Sequence, residues 1–404
     1  MRCQDPHGPK FLNFCPALLL MVLAFTLPLN ACDSDGDVNA LHSMRLTADM
    51  LPASPTNAHA DDAGAALLGQ RLFFDKRLSV DGTIACASCH SPDHGFSDPR
   101  PFSVGVRGQT GGRHAMPIAT VAFQAFTLWD GRGDSVWIQP LKAIENPKEM
   151  DLTRLELARV VATNYSDEYQ KVFGTLPVLK DAPTRAKPGM AEWDALAQPV
   201  RNDVDRVAAN VGKAIEAYER KILCSDTRFD RWAAGEVTLS HREMNGAQAF
   251  AAHRCTHCHS GPTFSDGQFH NVGVPSSDRG RAVGIGLLLA DPFNGAGAFS
   301  DDPTAGQAKL ALLSQETGTE GAFRTPSLRG AGQRTFFGHA AHKETLRGFI
   351  DDVYHGRDER RSATVGSLDP KLQRVNVPDD ELDDLVAFLH TLDCPSAPAL
   401  SVAP

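Results

Sequence analysis

The chain has 404 residues, nine cysteines, 42% hydrophobic residues and a formal net charge of −9. That length calls for two domains, or three. A balance this acidic argues against nucleic acid as a partner.

The first 31 residues read as a secretory signal peptide. Arg2 and Lys10 flank a short charged start, and Phe11 to Leu27 is largely apolar. The run is too short, and too interrupted by proline, for a spanning helix. Leu29-Asn30-Ala31-Cys32 resembles a lipobox, in which Cys32 becomes the lipidated first residue of a bacterial lipoprotein. Acyl chains there would hold the protein to a membrane without spanning it. Cleavage with a free Cys32 is the alternative. Either way the mature chain would be periplasmic, and losing Arg2, Lys10 and Asp5 makes it slightly more acidic.

Residues 32–60 lack a sustained apolar period and are predicted to be a tether. AALLGQRLFFD, from Ala65, predicts a helix. It leads to Cys86-Ala-Ser-Cys89-His90. Val204, Val207, Ala208, Val211 and Ile215 have helical spacing, and the Pro-rich stretch 178–203 reads as an inserted loop. Ser240 and Glu243 form a capping-box pattern before MNGAQAFAAHR, and Cys255-Thr-His-Cys258-His259 follows. Residues 272–318 are Gly-rich with several Asp. Leu382, Leu385, Val386 and Leu389 have helical spacing near the end. No alternating run predicts a substantial sheet.

Cys-x-x-Cys-His thus occurs twice, each time after a predicted helix and before Phe-Ser-Asp (Phe96–Asp98 and Phe264–Asp266). This is the pattern of an internal duplication. Cysteines at i and i+3 on one turn can form thioethers to the two vinyl groups of a haem, and the adjacent His then sits beneath the iron. A Cys₄ zinc site is the competing use of two Cys-x-x-Cys pairs. The wide separation and the repeated His argue against it, as does export, because c-type haems are attached outside the cytoplasm. The fold expected is mainly α, with little sheet: two loop-rich, cytochrome c-like haem domains at 61–238 and 239–394, then a tail at 395–404. Cys224 and Cys394 have no other assignment, and an even remainder in an exported protein suggests a disulfide. Two buried free thiols are the alternative.

The chain resembles the bacterial dihaem cytochrome c peroxidase/MauG family over nearly all of its mature length. Besides the motifs, the resemblance rests on LFFDKRLS (72–79), AFQAFTLWDGRGDS (122–135), IQPLKAIENPKEM (138–150), ERKILCSDTRFDRW (219–232) and FRTPSLRG (323–330). It implies that the N-terminal haem, over His90, reacts with hydrogen peroxide and that the C-terminal haem, over His259, stores or relays electrons. It makes Trp129 the tryptophan between the haems, Gln139 the distal amide and Glu149 the distal acid. A carboxyl there suits peroxide cleavage, which needs one group to take a proton and return it to the leaving oxygen.

Two departures stand out. The histidine that caps the resting peroxidatic iron in typical members aligns with Val106 in SVGVRGQTGGRHAMP, and neither His94 nor His114 occupies that place. An aliphatic side chain cannot ligate iron, so the first haem is expected to be open, as in MauG. His114 also stands where an asparagine often serves an interdomain calcium. Imidazole is a poor calcium ligand, so calcium is possible rather than implied. The second departure is at the other iron, where the family places Met, or Tyr in MauG, on a helix that here reads TLRGFIDDVYHGR. Strict alignment puts Val353 at the ligand place. Tyr354 is the leading sixth ligand, with His339 and His355 as alternatives. The function expected is that of a peroxide-dependent oxidoreductase, its electrons coming from a small redox protein or from a residue of a partner protein. The alternative is a non-catalytic dihaem electron-transfer cytochrome.

Overall fold

The computed structural model describes residues 34–355, 364–372 and 376–395. The signal peptide, Cys32 and most of the tail lie outside them. The helices are α1 (Ser34–Leu41), α2 (Ala63–Phe73), α3 (Gln139–Glu145), α4 (Arg154–Asn164), α5 (Ser166–Phe173), α6 (Ala191–Asp194), α7 (Gln198–Glu219), α8 (Arg228–Ala233), α9 (His241–Ala252), α10 (Arg281–Leu289), α11 (Pro303–Leu310), α12 (Leu346–His355) and α13 (Asp379–His390). Among the described residues the sheet is one antiparallel ribbon, β1 (Phe269–His270) on β2 (Phe323–Arg324). The mainly α expectation holds, and no described helix is long and apolar enough to cross a membrane.

The duplication is built around two helix crossings. In the first half, α2 starts where Asp62 accepts a hydrogen bond from the Ala65 amide, and it crosses α7. A Cβ added at Gly69 would lie 1.8 Å from the Ala214 carbonyl oxygen. In the second half, α9 starts on the Ser240–Glu243 capping box and crosses α13. A Cβ at Gly246 would lie 1.9 Å from the Asp384 carbonyl oxygen. Only glycine lets two backbones approach this closely. One turn after each glycine an aromatic pair closes the crossing. Phe73 meets Tyr218 with centroids 5.2 Å apart, and Phe250 meets Phe388 at 5.3 Å.

The loops repeat as well. The Thr120 amide donates to Ile222 (3.0 Å) and that of Gly330 to Leu392 (2.8 Å); Thr127 bonds Gly133 (2.7 Å) as Phe337 bonds Lys343 (2.9 Å). The two halves meet through a reciprocal pair. The His114 amide donates to the His339 carbonyl (2.8 Å), and the Arg324 amide donates to the Trp129 carbonyl (2.9 Å). Trp129 and His339 therefore hold equivalent places in the two halves.

Two apolar cores match the two crossings. The first gathers Leu72, Phe73, Trp137, Leu155, Val207 and Ile215, and the second Phe229, Trp232, Phe250, Phe264 and Phe388. Each core borrows from elsewhere in the chain, which corrects three expectations. Residues 34–60 are not a free tether. Val38, Leu41 and Met44 are buried in the second core, the Leu46 amide donates to Asp230 (2.9 Å), and Asn57 donates to Glu216 of α7 (2.9 Å). The apolar positions are three apart over too short a stretch to register as a period. The stretch 178–203 is not wholly a loop either. Leu179, Ala186 and Trp193 are buried in the first core, and α7 begins at Gln198 with Pro199 in its first turn, where a missing N–H costs little. Finally, the boundary near 238 is not a clean cut. Phe229 and Trp232 belong to the second core, while Leu288 and Phe293, from the Gly-rich segment that also forms α10 and α11, pack into the first. Cys224 and Cys394 are joined by a disulfide, with their Cα atoms 4.9 Å apart.

Candidate haem sites

Each motif opens with one 3-10 turn, Cys86–Ser88 or Cys255–His257. That turn brings the histidine back over its first cysteine: the His90 amide donates to Cys86 (3.0 Å) and the His259 amide to Cys255 (2.8 Å). The trailing phenylalanines then matter. Phe96 and Phe264 have φ of 56° and 52°, a left-handed conformation costly for a bulky residue. It turns each carbonyl back to the imidazole: His90 Nδ1–H donates to Phe96 O (3.3 Å) and His259 Nδ1–H to Phe264 O (2.9 Å). Each Nε2 is thereby left as the lone-pair nitrogen, as for a metal-bound histidine oriented by its other nitrogen. Burial pushes both imidazoles down, towards the neutral form that ligation needs. The four motif cysteines are free thiols.

A cavity of about 440 Å³ adjoins the second motif, walled by Cys255, Cys258, His259, Leu385 and Leu389. Arg324 and Arg334 also line it. Arg324 is 2% exposed, and among the described residues its guanidinium donates to Leu128 O, Thr325 O and Met116 Sδ. Burial, then the charge of Arg334, pushes it down to about 9. Arg334 donates to two carbonyls, and its Nε has no partner. Asp393 offsets part of the Arg334 charge, while no carboxylate acts on Arg324; an enclosed guanidinium of this kind suits a ligand that carries carboxylates, as haem does. Volume, thiols, imidazole and arginines all fit a haem.

For the sixth position the structure separates the candidates. Val353 and Tyr354 both line the cavity. The Tyr354 hydroxyl is 3.0 Å from Cys255 Sγ and donates to His253 O (3.2 Å), so it sits at the attachment edge. His355 has both ring nitrogens engaged, Nδ1 with Asp351 (2.5 Å) and Nε2 with the Val377 amide (2.9 Å), and it offers none to iron. His339 lines the cavity, is 3% exposed, and its Nε2 has no hydrogen-bond partner. It stacks on Phe323 at 3.5 Å and meets the edge of Trp129 at 6.2 Å. Burial pushes it down to about 3, so it is neutral.

In the first half Val106 is fully buried, and its amide donates to the Glu149 carbonyl (2.9 Å). A Cβ on Gly105 would lie 2.1 Å from Lys148 O and 2.6 Å from Glu149 O, so the loop is pressed against the backbone of Lys148 and Glu149. Burial raises Glu149, against the opposing pull of Arg132, and its Oε1 accepts from Asn146 (2.7 Å). Gln139 opens α3, with its Oε1 enclosed and unpartnered. Trp129 donates from Nε1 to His114 O (2.8 Å). His114 spends both ring nitrogens, on Pro101 O (3.1 Å) and Ser97 Oγ (3.3 Å), which leaves none for a metal. His94 bonds Ser91 Oγ (3.2 Å). Among the described residues, the one His/Cys/carboxylate group close enough to hold an ion is Cys258, Asp266 and His270, and it shares the motif cysteine.

Residues 63–238 match a family model described as di-haem cytochrome c peroxidase. Over 349 residues the chain is 28% identical to methylamine utilization protein MauG of Methylophilus methylotrophus, covering 85% of this chain and 86% of that protein. Over 348 residues it is 27% identical to a cytochrome c551 peroxidase of Nitrosomonas europaea, covering 84% of each. Together these matches support a place for the chain in the dihaem cytochrome c peroxidase/MauG family. The chain is a peroxidase-type, haem-dependent oxidoreductase, and the non-catalytic alternative gives way. Two solved structures share the fold. One is a MauG-like protein associated with microbial copper homeostasis (TM-score 0.62, 24% identity, 89% of this chain and 96% of that one). The other is the diheme peroxidase BthA from Burkholderia thailandensis (TM-score 0.63, 21% identity, 89% and 92%).

Sequence reasoning missed three features of this family member: Arg324 with Arg334, the equivalence of Trp129 and His339, and the carbonyls of Phe96 and Phe264. Only the last left a signal, the Phe that follows both motifs.

Proposed function

We propose that this is an exported c-type dihaem enzyme that uses hydrogen peroxide at the N-terminal haem, held by Cys86, Cys89 and His90. Cys255, Cys258 and His259 would hold a second haem, which would supply a relay for electrons from a small redox protein or from a residue of a partner protein. The bound haems supply the site of peroxide reduction and the store of oxidising equivalents. The chain supplies the rest. Glu149, raised by burial, takes the proton of the incoming peroxide and returns it to the leaving oxygen. The enclosed amide of Gln139 orients that oxygen, and Trp129 bridges the halves beside His339. His339, neutral and with a spare nitrogen, is favoured over Tyr354 as a side-chain ligand to the second iron. Lipidation at Cys32 belongs to the same reading.

The observation that carries the proposal is Val106: the capping place is filled by a buried aliphatic residue fixed to the backbone of Glu149. The test is rapid mixing of the dihaem protein with peroxide. Glu149→Gln should retain both haems and slow the reaction by about 10²–10⁴-fold. In the unsubstituted protein the rate should fall as pH drops through the raised pKa of Glu149, because the carboxylate is the base. An unchanged rate in Glu149→Gln removes it from the proton-transfer role.

A further inference from the structure

A buried iron changes charge whenever it gains or loses an electron, and a low-dielectric surround makes that change costly unless something compensates. The duplication identifies a side chain placed to do so. In the second half, Leu389 of α13 walls the cavity beside His259. Its counterpart is fixed by two independent contacts. The crossings pair Gly69 and Ala214 with Gly246 and Asp384, and the aromatic contacts pair Phe73 and Tyr218 with Phe250 and Phe388. Both give the same register, which sets Glu219 where Leu389 stands. A carboxyl thus replaces a leucine in the wall of the first haem site.

Glu219 is 2% exposed, and its Oε2 has no hydrogen-bond partner. It lies close enough to the attachment cysteine that its charge ranks next after burial in pushing up the Cys86 thiol. The surrounding charges do not neutralise it. Glu216, one turn earlier, accepts from Asn57 (2.9 Å). Arg220 is tied to Asp61 (2.8 Å) and Pro52 O (2.8 Å), and Arg71 of α2 pairs with Glu168. Tyr218 is buried beside it, and Glu149 also reaches Cys86 with its charge. Burial, then Glu216, pushes Glu219 up to about 8.

We propose that Glu219 is the proton partner of the first haem: it holds a proton while the iron is ferrous and releases it to solvent when one electron leaves. One electron and one proton then move together, in either direction, and the buried charge is conserved. The proposal rests on the first motif carrying a haem. The proton-transfer role of Glu149 is separate from it.

The test is spectroelectrochemical titration of the dihaem protein between about pH 6 and 9, after its intact mass has been checked for both haems. The potential of the first haem should fall as pH rises, by up to ~59 mV per unit, a tenfold shift in the ferric-to-ferrous ratio. Glu219→Gln, which keeps the shape, and Glu219→Leu, which copies the other half, should both flatten that slope. Neither should alter the second haem, walled by Leu389. Glu149 is present in all three proteins, so its own contribution cancels. A slope left unchanged in both variants overturns the proposal, as does a first-haem potential independent of pH in the unsubstituted protein. A mass with no haem on Cys86 and Cys89 overturns the dihaem reading itself, a distinct result.

Discussion

Gly246→Ala tests the duplicated crossing with a single methyl group. The added Cβ would lie 1.9 Å from the Asp384 carbonyl oxygen and 2.8 Å from the Phe388 Cβ. Ordinary contact begins near 3.5 Å, so α9 and α13 must part by roughly 1.5 Å. The obstacle is backbone, which has no rotamer to change. Overpacking of this kind costs about 1–3 kcal/mol, and the better helix propensity of alanine returns about 1 kcal/mol. With the cost at its upper end, the net loss is about 2 kcal/mol, a fall in Tm of roughly 4–8 °C for a unit of this size. Gly286 in α10 is the control, because a Cβ there meets nothing within 4 Å. Gly286→Ala should leave stability unchanged or raise it by about 0.4–1 kcal/mol. Thermal unfolding followed by circular dichroism compares the two. Because α13 carries Leu385 and Leu389 on the cavity wall, Gly246→Ala should also disturb the absorption of the second haem. A Gly246→Ala protein as stable as Gly286→Ala would refute the close crossing.

The remaining predictions concern covalent structure. The mature protein, made in a host that matures c-type haems, should show two haem additions by intact mass. Replacing both cysteines of either motif by serine should remove one, and a mass with one addition or none contradicts the paired-motif account. Alkylation without reductant should leave Cys224 and Cys394 unlabelled, and labelling of either refutes their pairing in the isolated protein.

Much of the candidate site was legible because an attachment motif is local in sequence. Cys86, Cys89 and His90 lie within one turn, and so do Cys255, Cys258 and His259, so spacing alone specifies them. The helices around them were legible from Val204 to Ile215 and from Leu382 to Leu389, whose apolar faces are the buried ones. What failed depended on contacts distant in sequence. Leu41 and Met44 look like parts of a linker until Phe229 and Trp232 supply a surface. Pro199 looks like a loop residue because nothing local marks it as the first turn of α7. His355 and His339 were equivalent as imidazoles in sequence; Asp351 and the Val377 amide occupy one, while stacking on Phe323 leaves the other a free nitrogen. Glu219 stood in a matched motif, but only the register between the two crossings shows that it replaces a cavity-wall leucine.

The central claim is that the first iron is open at rest because Val106 stands where a capping histidine would be. Low-temperature electron paramagnetic resonance of the fully oxidised dihaem protein, followed by peroxide without reductant, tests it most directly. A high-spin ferric signal that is lost as peroxide reacts at once is the expected result. Two purely low-spin haems, with peroxide reacting only after one-electron reduction, would contradict it and show that His94, His114 or another group reaches the iron.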